Sequence, residues 1–319
     1  MSRYKRRDFL QISMAAAAAG LGGTAAAGAG GASPAAGTSA APRGAETGKK
    51  PMRLGLIVGV GKDPDSAIKK VHDLGVPTAQ VLVESFGSDV ETGLRAALDR
   101  YHIEATALVI GGPGPEEYDF YHGPLTIGFV PKEWRAKRID RAKQASDFAK
   151  KLGIPAIQTH CGFLPENPNV TVYKETIAAI REVAGYCKQN GQNFRYETGQ
   201  ETPITLVRAI EDVGLDNQGV NFDVANLILY GKANPVDAVE LLGPYVQGMH
   251  AKDGLWPTDP RNLGKEVPIG QGKVDFPRVL GRLKEMHYQG AVTIEREISG
   301  PQQLEDIRKE KAYLEKLIG

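Results

Sequence analysis

Residues 51–319 predict a single (β/α)8 barrel, a TIM barrel of the α/β class, and three observations lead there. Short apolar, β-branched runs alternate eight times with longer segments of helical period, the rhythm that parallel strands and crossover helices require. With the first fifty residues set aside, about 270 remain, close to the roughly 250 that one such barrel occupies. The predicted strands end in titratable side chains while the helices end near glycines, and that asymmetry marks one functional face at the carboxyl ends of the strands.

The units follow in order. A strand over 53–58 leads to a helix over 65–74, closed by Gly75, and a strand over 78–83 leads to a helix over 89–101. The third strand, 104–110, is followed by a long loop, 111–131, and a helix over 132–152 that stops at Gly153. Strand 156–160 precedes helix 173–190 and Gly191; strand 193–197 precedes helix 203–213 and Gly214; strand 219–223 precedes helix 235–242 and Gly243. Strand 246–251 opens a second long loop, 253–274, then a helix over 276–286 and Gly290; strand 291–295 and helix 302–317 complete the ring. Each of the six glycines sits where a left-handed helix cap is wanted. The strand ends carry Glu84, His160, Glu197, Asp223, His250 and Glu295.

Residues 1–50 lie outside this fold. Tyr4-Lys5-Arg6-Arg7-Asp8-Phe9-Leu10 resembles a twin-arginine export motif, and the Ala/Gly run behind it is broken by Gly20, Gly22 and Gly23. That run falls short of the roughly 20 strongly apolar residues a spanning helix needs. The tract from 28 to 50 is a flexible Ala/Gly-rich tether by composition. The expectation is a removed signal, no stable membrane insertion, and a periplasmic or extracellular barrel exported already folded. Residues 1–50 hold seven basic and two acidic side chains, so removing that surplus of five from the net +1 leaves the body near −4. Such a body has no generic attraction for nucleic acid. Cys161 and Cys187 fall at opposite ends of one strand–helix unit and are expected to be free thiols. Self-association into a homo-oligomer is compatible with all of this.

Four strand-end residues carry the chemistry: Glu197 in Arg195-Tyr196-Glu197, Asp223 in Asn221-Phe222-Asp223, His250 in Met249-His250-Ala251-Lys252-Asp253, and Glu295 in Thr293-Ile294-Glu295. They close strands five to eight, four consecutive staves whose ends form an arc around one point. Three carboxylates and an imidazole make a hard, oxygen-rich site suited to one divalent ion, Mn²⁺, Mg²⁺ or Co²⁺, with positions left for substrate oxygens. Carboxylates at the ends of adjacent apolar strands repel and desolvate one another unless a cation compensates them.

This ordered set, with the His-x-Lys-Asp run and Ile269-Gly270-Gln271-Gly272 leading to Asp275-Phe276, resembles the sugar phosphate isomerase/epimerase family with the xylose isomerase-like barrel, over residues 53–318. The resemblance implies that Glu197, Asp223, His250 and Glu295 bind the metal and that Glu197 and Glu295 also transfer the proton. A metal that chelates a carbonyl and its neighbouring hydroxyl acidifies the intervening C–H and stabilises the enediolate; two carboxylates on opposite sides then give isomerisation or epimerisation. His160 and Lys252 are expected to contact substrate, and Trp256 to stack on the sugar; Tyr118, Phe120, Tyr121 and His122 give the other long loop a similar aromatic character. Family epimerases often carry a histidine where this chain has Asn226, three residues after the aspartate ligand, so Asn226 is expected at the substrate without a proton-shuttle role. No Gly-rich phosphate loop is evident, which favours an unphosphorylated sugar. The alternative is a lyase or hydrolase cleaving a 3-keto-glycoside, in which the same enolising step expels a glycosidic oxygen by β-elimination. A three-zinc nuclease on this barrel would need more histidines than the four-residue set provides.

Overall fold

The structure, a computed structural model, describes residues 52–319, so the export motif and tether expected over residues 1–50 lie outside the described residues. Eight parallel strands close into a barrel: β1 (Arg53–Val60), β2 (Thr78–Val83), β3 (Glu104–Val109), β4 (Ala156–Thr159), β5 (Asn193–Glu197), β6 (Gln218–Asp223), β7 (Val246–Ala251) and β10 (Ala291–Ile294). Each pairs in parallel with its sequence neighbours, and β10 closes the ring against β1 through Arg53↔Ala291 to Leu56↔Ile294. The two remaining strands, β8 (Asp253–Gly254) and β9 (Glu266–Val267), form an antiparallel hairpin within the 253–274 loop.

The crossover helices lie where the apolar periodicity puts them: α1 (Pro64–Asp73), α2 (Ser88–Tyr101), α4 (Lys132–Lys151), α5 (Thr171–Gln189), α6 (Pro203–Val213), α8 (Pro235–Leu242), α9 (Phe276–Glu285) and α10 (Pro301–Ile318). Two short helices, α3 (Gly123–Thr126) and α7 (Val224–Leu229), were not expected. The buried faces of the crossover helices, with Ile68, Leu94, Ala145, Ile180, Leu206, Val239, Leu283 and Leu314 at 0–1% exposure, pack against the outer side of the strands.

The glycine caps hold at Gly75, Gly153, Gly191 and Gly214, with φ from 65° to 72°. Gly243 and Gly290 depart from the expectation. Gly243 has φ −48° because the chain continues into a 3-10 turn, Gly243–Tyr245. Gly290 is not left-handed because the reversal after α9 is made earlier, at His287 with φ 61°.

Side chains alternate across each strand, so residues two apart share a face. The inward set of this barrel is unusually polar: Thr78 and Gln80 on β2, Gln158 on β4, Arg195 and Glu197 on β5, Asn221 and Asp223 on β6, His250 on β7 and Thr293 on β10 are all 7% exposed or less. Gly55 faces them from β1, where a Cβ would come within 2.8 Å of both Thr293 Oγ1 and Thr78 Oγ1. A polar column therefore runs through the barrel, and its carboxyl-terminal end is the candidate site.

Candidate metal centre

Glu197, Asp223, His250 and Glu295 each offer one ligand atom, and those atoms lie within 4.8 Å of one another. The exposures are 1%, 0%, 0% and 1%. Barrel pairing sets this convergence: Asp223 is in register with His250, Glu197 with Asn221, and Thr293, two before Glu295, with His250. Three buried carboxylates so close together are tolerable only with positive charge among them.

The imidazole shows which form that charge can take. His250 Nε2 lies 2.6 Å from Gln80 Oε1, and the Gln80 amide nitrogen is itself committed to Asn221 Oδ1 at 3.0 Å, so the Gln80 oxygen must be the acceptor and Nε2–H the donor. Gln158 Nε2 donates to the same oxygen at 2.7 Å. His250 Nδ1 then turns toward Glu295 Oε2 (3.0 Å), Glu197 Oε1 (3.5 Å) and Asp223 Oδ2 (3.6 Å), without a hydrogen bond aligned to any of them. An imidazole clamped through one nitrogen and presenting the other to three carboxylate oxygens is a ligand geometry, and the donor set fits a divalent cation. With no cation to screen the acids, burial works against protonation of this ring, but the Glu295 and Glu197 carboxylates outweigh it and hold the pKa well above the ordinary histidine value.

A second positive group stands beside the cluster. Lys252, two residues after His250 and 1% exposed, places Nζ 2.8 Å from Glu295 Oε2, 2.9 Å from Asp223 Oδ2 and 3.4 Å from Glu297 Oε1. It bridges two of the three ligand carboxylates and leaves Glu197 to His160, whose Nε2 is 3.2 Å from Glu197 Oε1. A model of the family described as xylose isomerase-like TIM barrel matches residues 59–317. The chain belongs to the xylose isomerase-like TIM barrel family. It is similar to a xylose isomerase domain protein from Planctomyces limnophilus, at 35% identity and a TM-score of 0.79, over 84% of this chain and 97% of that one. A D-tagatose 3-epimerase-like protein shares the fold at 20% identity and a TM-score of 0.66, over 83% of this chain and 97% of that one. Uncharacterized protein MJ1311 of Methanocaldococcus jannaschii is 26% identical over 211 residues, which span 62% of this chain and 66% of that protein.

In this xylose isomerase-like barrel the other expected site residues separate. His160 and Lys252 join the cluster. Asn226 commits its side-chain nitrogen to the Thr198 carbonyl (3.2 Å) and its backbone N–H to Asp223 Oδ1 (2.9 Å), so it braces a ligand from behind. Trp256 lies in the 253–274 loop and is 39% exposed. Glu84 stays out of the cluster and lies beside Arg141, which donates to its backbone carbonyl at 2.7 Å. Cys161 and Cys187 are free and buried, as expected.

The two long loops meet over this face. Phe120 N–H donates to the Arg261 carbonyl at 3.2 Å, and the Arg261 guanidinium lies 4.5 Å from the centre of the Tyr121 ring. Arg138 fixes the first loop by donating to the carbonyls of Gly128 (2.6 Å), Pro115 (3.0 Å) and Pro113 (3.3 Å). Tyr118 sets its ring edge-on to His160, with centroids 6.0 Å apart. The cleft beside His160 is about 10 Å³, room for about one water.

Sequence reading missed the roles of Gln80 and Gln158, which orient His250, and named Asp253 only within the His-x-Lys-Asp run, whereas it organises the second loop. One carboxylate of Asp253 accepts from four backbone N–H groups, those of Gly254 (2.8 Å), Gly270 (2.9 Å), Gly272 (2.9 Å) and Val274 (3.1 Å). Glu201 was missed too: 3% exposed, its carboxyl is pushed up to about 8 by burial, with the nearby Glu197 charge adding to the shift. A signal existed for Gln80, since Thr78 and Gln80 are polar two apart in an otherwise apolar strand.

Proposed function

We propose that this chain is a divalent-metal-dependent sugar isomerase or epimerase that acts on an unphosphorylated sugar by proton transfer through an enediolate. The observation that carries the reading is the convergence of Glu197, Asp223, His250 and Glu295 on one buried point, in a barrel whose fold neighbours include a D-tagatose 3-epimerase-like protein. A divalent cation held by these four, Mn²⁺, Mg²⁺ or Co²⁺, would supply the Lewis acidity that makes a hydrogen beside a sugar carbonyl removable.

Glu197 ends β5 and Glu295 directly follows β10, strands separated in the ring by β6 and β7, and so the two reach a sugar from different sides. One takes the proton and the other returns it. His160 holds Glu197 in place and turns its Nδ1, which makes no hydrogen bond within the protein, toward substrate. Lys252 steadies Glu295 and the negative charge that grows on the substrate oxygen. Trp256 on the outer loop offers a stacking face to the sugar ring. Closure of the two loops excludes water and strengthens each of these interactions. Export by the twin-arginine route, to the periplasm or beyond, belongs to the same reading and matches an unphosphorylated substrate; cell fractionation with and without Arg6→Lys/Arg7→Lys tests it.

A second reading, cleavage of a 3-keto-glycoside by β-elimination, is favoured by one observation. A buried ammonium, Lys252, stands 2.8 Å from Glu295 and 3.4 Å from Glu297, and in this reading it would protonate the departing glycosidic oxygen. The test is incubation of Mn²⁺-loaded protein with free ketoses and with 3-keto-glycosides in D₂O. Deuterated isomer supports the first reading and released aglycone the second. Unchanged substrate in both sets, from protein carrying a full complement of metal, overturns both.

A further inference from the structure

At the opposite end of the barrel the structure opens a cavity of about 440 Å³, bounded by the starts of β5 and β7 and by the turn from Met286 to Gly290. Its most distinctive wall residue is Arg195. Two residues before Glu197, it points into the same barrel interior but toward the amino-terminal mouth. It is 7% exposed. Nη1 donates to the Thr106 carbonyl at 3.2 Å, while Nε makes no hydrogen bond. Among the described residues no carboxylate comes within ion-pair distance, and burial pushes the guanidinium down to about 10. Such a group is ordinarily paired, because an uncompensated buried charge is costly.

The rest of the wall indicates what would pair with it. No Asp or Glu lines the cavity; the other basic side chain on its wall is His287, on the solvent side. Gln247 donates through Nε2 to the Gln218 carbonyl (3.1 Å), which leaves its buried Oε1 as an acceptor with no donor. The lining thus combines a cation lacking an anion with an acceptor lacking a hydroxyl, in a space large enough for a small polyol acid.

We propose that this cavity is a binding site for a small oxyanion, a phosphate or a carboxylate, that carries a hydroxyl: Arg195 meets the charge and Gln247 Oε1 accepts from the hydroxyl. Inorganic phosphate and a hexuronate both present this chemistry. The site is separate from the metal-competent cluster. A Cβ on Gly248 would touch both Arg195 Nη1 (3.3 Å) and Asn221 Oδ1 (2.7 Å), so Arg195 stands at the lower end of the polar column that leads through Asn221 and Gln80 to His250.

The test is calorimetric titration of the full chain, purified without phosphate and kept in chelator so that no metal-bound anion contributes. The probes are inorganic phosphate, a hexuronate and the matching neutral hexose. The expected result is saturable binding of at least one anion, near one per chain, and none of the hexose. Saturation by phosphate alone assigns a phosphate site, and saturation by hexuronate alone a sugar-acid site. Gln289→Glu, a surface change at the cavity mouth, weakens the anion by about tenfold or more through like-charge repulsion. Arg195→Met abolishes binding and, with no anion present, melts no lower than the native chain because it removes a buried charge. Should Arg195→Met fail to fold, Gln289→Glu still decides. Hexose binding as tightly as the anions, no saturable binding of either anion, or anion binding unchanged in Gln289→Glu would overturn the proposal.

Discussion

Glu295 shares with Glu197 the two roles of ligand and proton carrier, and Lys252 pairs with it at 2.8 Å. Glu295→Gln keeps the shape and removes the base, so turnover should fall by about 10³-fold or more, read from steady-state kcat at saturating metal. Gln80 tests a different property. Gln80→Leu leaves the His250 Nε2–H without its 2.6 Å acceptor, frees the ring to flip, and should weaken metal binding about 10- to 100-fold while kcat at saturating metal changes little. The two residues also differ in how plainly they could be read. Glu197, Asp223, His250 and Glu295 were legible because charged groups at the ends of consecutive apolar strands are too costly to sit there without a cation between them. Gln80 left a weaker mark: Thr78 and Gln80 share a polar face in an apolar strand, but an uncharged amide there does not say what it orients.

At the scale of elements, Asp253 is the hinge pin of the second loop. Asp253→Ala strips four backbone N–H groups of their acceptor, so it should cost about 1–3 kcal/mol of stability, seen in denaturant melts, and raise KM through a loosened lid. Faster amide exchange confined to Gly254 and residues 268–274 would locate the effect. This loop also shows where sequence reading stops. The eight barrel strands and their crossover helices were placed to within about two residues because each carries its own apolar period, which packing against the barrel then satisfies. The β8–β9 hairpin and helices α3 and α7 have no such period. Single carboxylates hold them instead: Asp253 for the loop, Asp223 Oδ1 as the local cap for the first turn of α7, and Asp119 accepting from the Gly123 N–H at 3.4 Å for α3. The cap at His287 in place of Gly290 also lacks a periodic signal, since a helix end is fixed by what its last turn packs on.

For the whole molecule, pH and metal should oppose each other. Burial raises the carboxyl groups of Glu201 to about 8 and of Glu266 and Glu310 to about 7, with the Glu297 charge adding to the shift at Glu266. A folded-state pKa above the unfolded one gives stability that is complete below the unfolded value, near 4.5, and is lost as pH rises through the folded value. His250, also raised, works in the same sense. In chelator the melting temperature should therefore fall between about pH 5 and pH 8.5, and Glu201→Gln should flatten part of that slope. Added Mn²⁺ should reverse the trend, because His250 must give up its proton to bind and affinity then grows with pH. The metal centre itself is tested by counting tightly held manganese on dialysed protein by electron paramagnetic resonance, beside Asp223→Asn, which keeps the acceptor that caps α7 but removes a ligand charge. One ion per chain in the native protein and a large loss of affinity in the variant are the predicted result; an equal ion count and equal affinity in both would contradict it.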